Sequence, residues 1–219
     1  MKHISFTKYI ERMENVIIDE SKVFRDESYY AQSDFNKIKA IEMLKILKEV
    51  LQKKDVHFLL NFGTLLGAVR DHDFIPHDYD LDLSLHEKYK KAFIDSLSEL
   101  EERGIVLCGH YKGNIFNLFY DGIICDIDIV FDMMFPYSLR YYRLLEKCYP
   151  KFYTDKTEFI DFLGGKYEVP KNPERFLEYM YGKNWRIPQK GKHARLFPHW
   201  MLLSRFHYYA KRFFRYHFK

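Results

Sequence analysis

Residues 57–85 read HFLLNFGTLLGAVRDHDFIPHDYDLDLSL, and the fold turns on how this stretch is parsed. Residues 57–60 are a short apolar run, a strand. Gly63-Thr64 follows and opens a helical pattern over residues 64–70. A loop closed by Pro76 leads to Asp78-Tyr79-Asp80-Leu81-Asp82. Alternate side chains of a strand point to opposite faces, so Asp80 and Asp82 share one face while Leu81 and Leu83 enter a core. Side-by-side carboxylates repel each other, and Mg²⁺ is the usual guest that relieves the repulsion. Taken alone, a D-L-D on a strand is more often a solvated face.

Outward from this stretch the chain alternates helix and strand. Residues 5–25 read as a short amphipathic helix. Over 34–52, Phe35, Ile38, Ile41, Leu44, Leu47 and Leu51 recur at helical spacing, with Ser33 or Asp34 as the cap. A strand over 56–60 and the helix over 64–70 precede an acidic strand over 80–85. A helix over 88–103 ends at Gly104. Strands are expected over 105–109, 114–120 and 123–131, with a hairpin at Asp121-Gly122. Residues 139–148 read as a helix, and 159–169 as irregular or a short hairpin around Gly164-Gly165. Pro173 opens a helix that Gly182 ends. The expectation is an α/β (α+β) fold, a mixed sheet flanked by helices in one domain over 1–219. Its N-terminal helices lie within 1–55, and a basic, aromatic helix closes it at 195–219.

Cys125-Asp126-Ile127-Asp128-Ile129-Val130 is a second acidic strand, again with both carboxylates on one face. It can supply a third carboxylate to Asp80 and Asp82, with Asp132 a more distant candidate. Gly63 allows close backbone approach, and the N–H groups of a helix start bind phosphate, to which Thr64 adds a hydroxyl. Arg70 suits a phosphate oxygen or a brace for the acidic strand. His72 and His77 flank the site, and Tyr181, Gly182 and Trp185 are candidate pocket residues that fit a core role better.

The run Gly63-Thr64-Leu65-Leu66-Gly67-Ala68-Val69-Arg70, then Phe74-Ile75-Pro76, then Asp78, Asp80 and Asp82 resembles the LicD family, which includes the fukutin-related proteins. His77 stands where that family usually has Trp, and Tyr79 replaces the middle of its first three acids. The resemblance resumes at Val169-Pro170 and at residues 173–185, PERFLEYMYGKNW. It implies a nucleotidyltransferase-like fold and transfer of a phospho-alcohol group, such as phosphocholine or ribitol phosphate, from a CDP-linked donor to a sugar. The family's IDIF-like strand matches Ile127-Asp128-Ile129-Val130. The resemblance therefore implies Asp80, Asp82 and Asp128 as catalytic and metal-binding residues. Gly63, Thr64, Arg70, Asp78 and Asp126 would bind the donor, with Mg²⁺ or Mn²⁺ as cofactor. The expected partners are a CDP-linked alcohol and a glycan or lipid-linked sugar.

Composition narrows the remaining classes. At 47% hydrophobic and 30% charged, the 219-residue chain is globular. Ten of its 35 Lys/Arg lie in the last 41 residues, which hold no Asp or Glu, so the rest of the chain is net negative. A basic tail meets anions. With Trp200, Phe206, Phe213 and Phe214 interleaved among Arg205, Lys211 and Arg212, it suits peripheral contact with a membrane. Three widely spaced cysteines argue against a disulfide scaffold or a zinc site, and no signal core or spanning run is present, so a cytoplasmic location is expected. Two other functions compete. One is a nucleotidyltransferase that moves the NMP group itself; the other is a nucleic-acid-binding module, which the acidic body disfavours.

Overall fold

The computed structural model describes residues 23–76, 78–111, 113–132, 139–142 and 147–188. The expected helix over 195–219 lies outside them, as does all of the expected 5–25 helix but its last three residues. Those three form a strand instead, β1 (Val23–Arg25), paired antiparallel with β4 (Val106–Tyr111). No helix among the described residues is long and apolar enough to cross a membrane.

The protein is mixed α/β, as expected. One sheet has the hydrogen-bonded order β1-β4-β5-β6-β3-β2, with β7 added to β6 and β8 to β7; β9 and β10 form a separate hairpin. The remaining strands are β2 (Phe58–Leu60), β3 (Asp80–His86), β5 (Ile115–Tyr120), β6 (Ile123–Asp132), β7 (Leu139–Tyr142), β8 (Lys147–Pro150), β9 (Thr157–Phe162) and β10 (Gly165–Pro170). The chain divides into two compact units, one of residues 1–57, 78–81 and 88–128, the other of 58–77, 82–87 and 129–219.

In the first unit, the short α1 (Glu27–Tyr30) precedes α2 (Lys37–Gln52). Asn36 caps α2, its side-chain oxygen accepting from the Ile38 and Lys39 amides at 3.0 and 3.3 Å. The expected cap Asp34 is engaged elsewhere: its backbone N–H donates to the Gly122 carbonyl at 2.8 Å. Gly122 has φ +90 in the Asp121-Gly122 turn, and a Cβ there would stand 3.0 Å from the Asp34 oxygen. Ala40, Met43, Leu44, Leu47, Val50 and Leu51 form the buried stripe of α2. The expected 88–103 helix is broken into a 3₁₀ turn, α3 (Lys90–Ile94) and α4 (Leu97–Glu102). The break falls at buried Ser96, whose hydroxyl donates back to the Ala92 carbonyl at 2.7 Å, while the Lys54 ammonium takes the Asp95 carbonyl.

In the second unit, α5 (Phe62–Arg70) follows β2 and α6 (Pro173–Tyr181) follows the β9–β10 hairpin. Of residues 139–148, expected as a helix, the described ones lie in two strands, β7 and β8. Arg140 explains the difference. It is only 8% exposed. Its guanidinium donates to Asp132 at 2.8 Å, to the Thr154 hydroxyl at 2.8 Å and to Asp155 at 3.1 Å. This buried cation draws its segment against β6, with Asp132 opposite Arg140, and overrides the helical pattern. Burial alone would raise the Asp132 pKa, but hydrogen bonds from Arg140 and Lys151 hold it at about 2. Asp132 is therefore a structural acid and not the third metal-site carboxylate.

Two stability predictions follow from these contacts. Arg140→Met is expected to cost roughly 3 kcal/mol in chemical denaturation at pH 7, as for the loss of one partner from a buried ion pair. A lowered carboxylate pKa contributes stability above about 3.8 that is lost as pH falls through about 2, so the gap between wild type and variant should narrow over that interval. At Gly67 a Cβ would stand 2.5 Å from the Asp73 carbonyl oxygen and 3.1 Å from the Ile75 nitrogen, both backbone. Gly67→Ala should therefore displace the 71–76 loop and cost about 1–3 kcal/mol in the same measurement.

Candidate metal and phosphate site

β3 carries the site. Leu81, Leu83 and Leu85 are buried on one face, while Asp80 and Asp82 are half-buried on the other, the alternation that the sequence predicts. Asp78, just before the strand, joins them. Asp78, Asp80 and Asp82 each offer a carboxylate oxygen, and these atoms lie within 4.8 Å of one another. Three hard oxygen donors at that spacing can hold a divalent cation. Sequence reasoning had placed Asp78 among the donor-binding residues and chosen Asp128 as the third ligand. The cluster includes Asp78 and not Asp128.

The electrostatics of the cluster follow from burial and like charge. Burial first, then the neighbouring charge and hydrogen bond of Asp80, push Asp78 up to about 6. Burial also raises Asp80, against the hydrogen bond from Asp78 and a backbone hydrogen bond. Without a cation, burial and mutual repulsion favour protonation of this pair.

Asp82 is held by three consecutive-region contacts from residues 61–64. Its carbonyl accepts from the Asn61 amide at 3.0 Å. Its own amide donates to the Thr64 hydroxyl at 2.8 Å. Its carboxylate accepts from the Gly63 amide, in the first turn of α5, at 2.9 Å. Gly63 and Thr64, expected to face a donor phosphate, are thus directed at Asp82. Phe62, just before them, has φ +35, a strained conformation of the kind found at functional sites. Arg70 forms a bidentate pair with the adjacent Asp71, at 2.8 and 2.6 Å, outside the acidic strand.

On β6, Asp126 and Asp128 share a face, opposite Asn117 and Ile115 of β5. Asp128 is buried. Asp126 accepts from the Asn117 side-chain amide at 2.7 Å. Burial raises Asp126 to about 6, with Asn117 opposing the shift and the charge of Asp80 adding to it. Asn117 was missed in the sequence. Its signal was a single amide inside the otherwise apolar IFNLFY strand, which requires a buried partner. Asn61, also buried, was missed for the same reason. Of the remaining candidates, His72 is exposed, His77 lies outside the described residues, and Trp185 is buried as a core residue. Gly182 ends α6 with φ +89, and Tyr181 is partly exposed.

Residues 55–172, more than half of the chain, match the family described as LicD/FKTN/FKRP, nucleotidyltransferase domain. The chain is 29% identical to Ribitol-5-phosphate transferase FKTN of Homo sapiens over 175 residues, covering 72% of this chain and 37% of that protein. It is 26% identical to Ribitol 5-phosphate transferase FKRP of Homo sapiens over 157 residues, covering 64% of this chain and 30% of that protein. The chain thus spans about a third of the length of these curated relatives. Among solved structures, ANT(2")-Ia in complex with adenylyl-2"-tobramycin is similar at TM-score 0.46 and 10% identity, covering 79% of this chain and 89% of that one. The family match runs from before β2, through the strand that bears Asp80 and Asp82, to the end of β10, and the chain belongs to the LicD/FKTN/FKRP family.

Proposed function

We propose that this chain is a transferase that moves a phospho-alcohol group from a CDP-linked donor to a sugar hydroxyl of a glycan. Asp78, Asp80 and Asp82 would hold Mg²⁺, or Mn²⁺ in its place, because both accept carboxylate oxygens. The observation that carries the reading is the three-carboxylate cluster inside the family-matched segment. Two relatives named as ribitol-phosphate transferases support the class of group transferred.

A bound divalent ion supplies charge neutralisation at the donor's diphosphate. The chain's own residues supply the rest. Asp78, just before β3, and Asp80 and Asp82 on one of its faces would hold that ion and through it set where the diphosphate lies. The sugar hydroxyl oxygen forms a bond to the phosphorus that bears the alcohol, the bond from that phosphorus to CMP breaks, and CMP leaves. The hydroxyl proton passes to the β6 carboxylates, Asp128 first, with Asp126 beside it on the same face. A second reading, transfer of the NMP group itself, is favoured by the nucleotidyltransferase description of the domain; it would release pyrophosphate instead of CMP.

Incubation with CDP-choline, CDP-ribitol and CDP-glycerol in the presence of Mg²⁺, followed by nucleotide analysis, tests the assignment. CMP release from one of them, with Asp80→Asn lower by at least about 10²-fold, is the expected result. Pyrophosphate release from a nucleoside triphosphate, with no CMP from any CDP-alcohol, would replace it with the second reading.

Metal binding has its own pH signature. A raised carboxylate pKa contributes stability below about 3.8 that is lost as pH rises through about 6, as for Asp78 and Asp126. The metal-free protein should therefore lose stability across that window. Added Mn²⁺ should raise the melting temperature more at pH 7 than at pH 5, because protons compete for the same oxygens. An equal shift at both pH values would place the ion elsewhere.

A further inference from the structure

We infer that Thr64 is a positioning residue for the acidic site, acting through the main chain of Asp82; the inference rests on the metal-binding reading above. The argument begins with the β2–β3 ladder. Its register pairs Phe58 with Leu85, Leu59 with Ser84 and Leu60 with Leu83, and β2 stops there. The Asp82 carbonyl still finds a backbone donor, the Asn61 amide. In a strand, the N–H and C=O of one residue point to the same side, so the Asp82 amide also faces β2. No strand carbonyl remains to receive it, because the chain has turned into α5 at Phe62. The Thr64 hydroxyl takes that place at 2.8 Å.

Thr64 is 2% exposed, so water does not substitute for it readily. The same first turn of α5 holds the Asp82 carboxylate through the Gly63 amide. One carboxylate oxygen, Oδ2, thereby accepts from the helix start. Backbone and side chain of Asp82 are fixed from one element, which sets the direction of its carboxylate. Groups that orient metal ligands in this way alter affinity by 10–100-fold when removed. The side chain at this position needs a hydroxyl, because its oxygen completes the ladder.

Mn²⁺ titration followed by the paramagnetic signal of the free ion tests this, on wild type, Thr64→Val, Thr64→Ser and Asp82→Asn, each first checked for fold by circular dichroism. Thr64→Val should weaken Mn²⁺ binding by roughly 10–100-fold, and Thr64→Ser should stay within a few-fold of wild type. If Asp82→Asn loses the ion while a folded Thr64→Val binds it as wild type does, the positioning role is wrong and the metal site stands. If wild type binds no Mn²⁺, both fail. Should Thr64→Val not fold, Thr64→Ala provides the same comparison, since it also lacks the hydroxyl.

Discussion

Three carboxylates within 4.8 Å of one another are an electrostatic liability, and the rest of the site is organised around that fact. Placed on or beside one strand and partly buried, they repel, and the repulsion together with desolvation lifts Asp78 to about 6. A divalent cation bound there would relieve the repulsion. The apolar residues that alternate with the acids, Leu81, Leu83 and Leu85, supply the burial that holds the strand in place against its own charge.

The acids of this chain fall into two groups by their partners. Asp71 is matched by Arg70, and Asp132 by Arg140 and Lys151. Those carboxylates are neutralised within the fold and serve its architecture. Asp78 and Asp80 instead bond to each other, and Asp126 is held by a neutral amide, Asn117. Asp82 is held by a helix start. Neutral hydrogen-bond donors fix a carboxylate's position without cancelling its charge, which is the condition a cation site requires.

A strained residue and a close backbone approach both fall in the segment before the acidic strand. Phe62 adopts a left-handed conformation at the entry to α5. Gly67 lets α5 meet the backbone of Asp73 and Ile75, which keeps the loop to Asp78 short and tightly folded. Phe62 and Gly67 both lie on the path from β2 to the acidic strand, where they aim the helix start and the loop.

Much of this was legible in the sequence because it depends on local periodicity. The alternation of Asp80 and Asp82 with leucines dictated a strand with one acidic face, and the GTLLGAVR run dictated a strand–helix–strand unit and the family. The Asp121-Gly122 hairpin and the Pro173-to-Gly182 helix were equally plain, since φ preferences of single residues decide them. Other features depend on partners distant in the chain. Residues 139–142 and 147–150 carry a helical pattern, yet Arg140 binds Asp132, Thr154 and Asp155, and the pairing makes strands. Ser96 divides a helix through a bond to Ala92. Glycine and threonine of the motif were expected at a phosphate, and only the position of β3 beside α5 reveals that they grip Asp82. Sequence alone determined which residues carry charge and which face they share; the tertiary structure decided which charges meet a cationic side chain and which are held by neutral donors, because that depends on hydrogen-bond partners brought together from far along the chain.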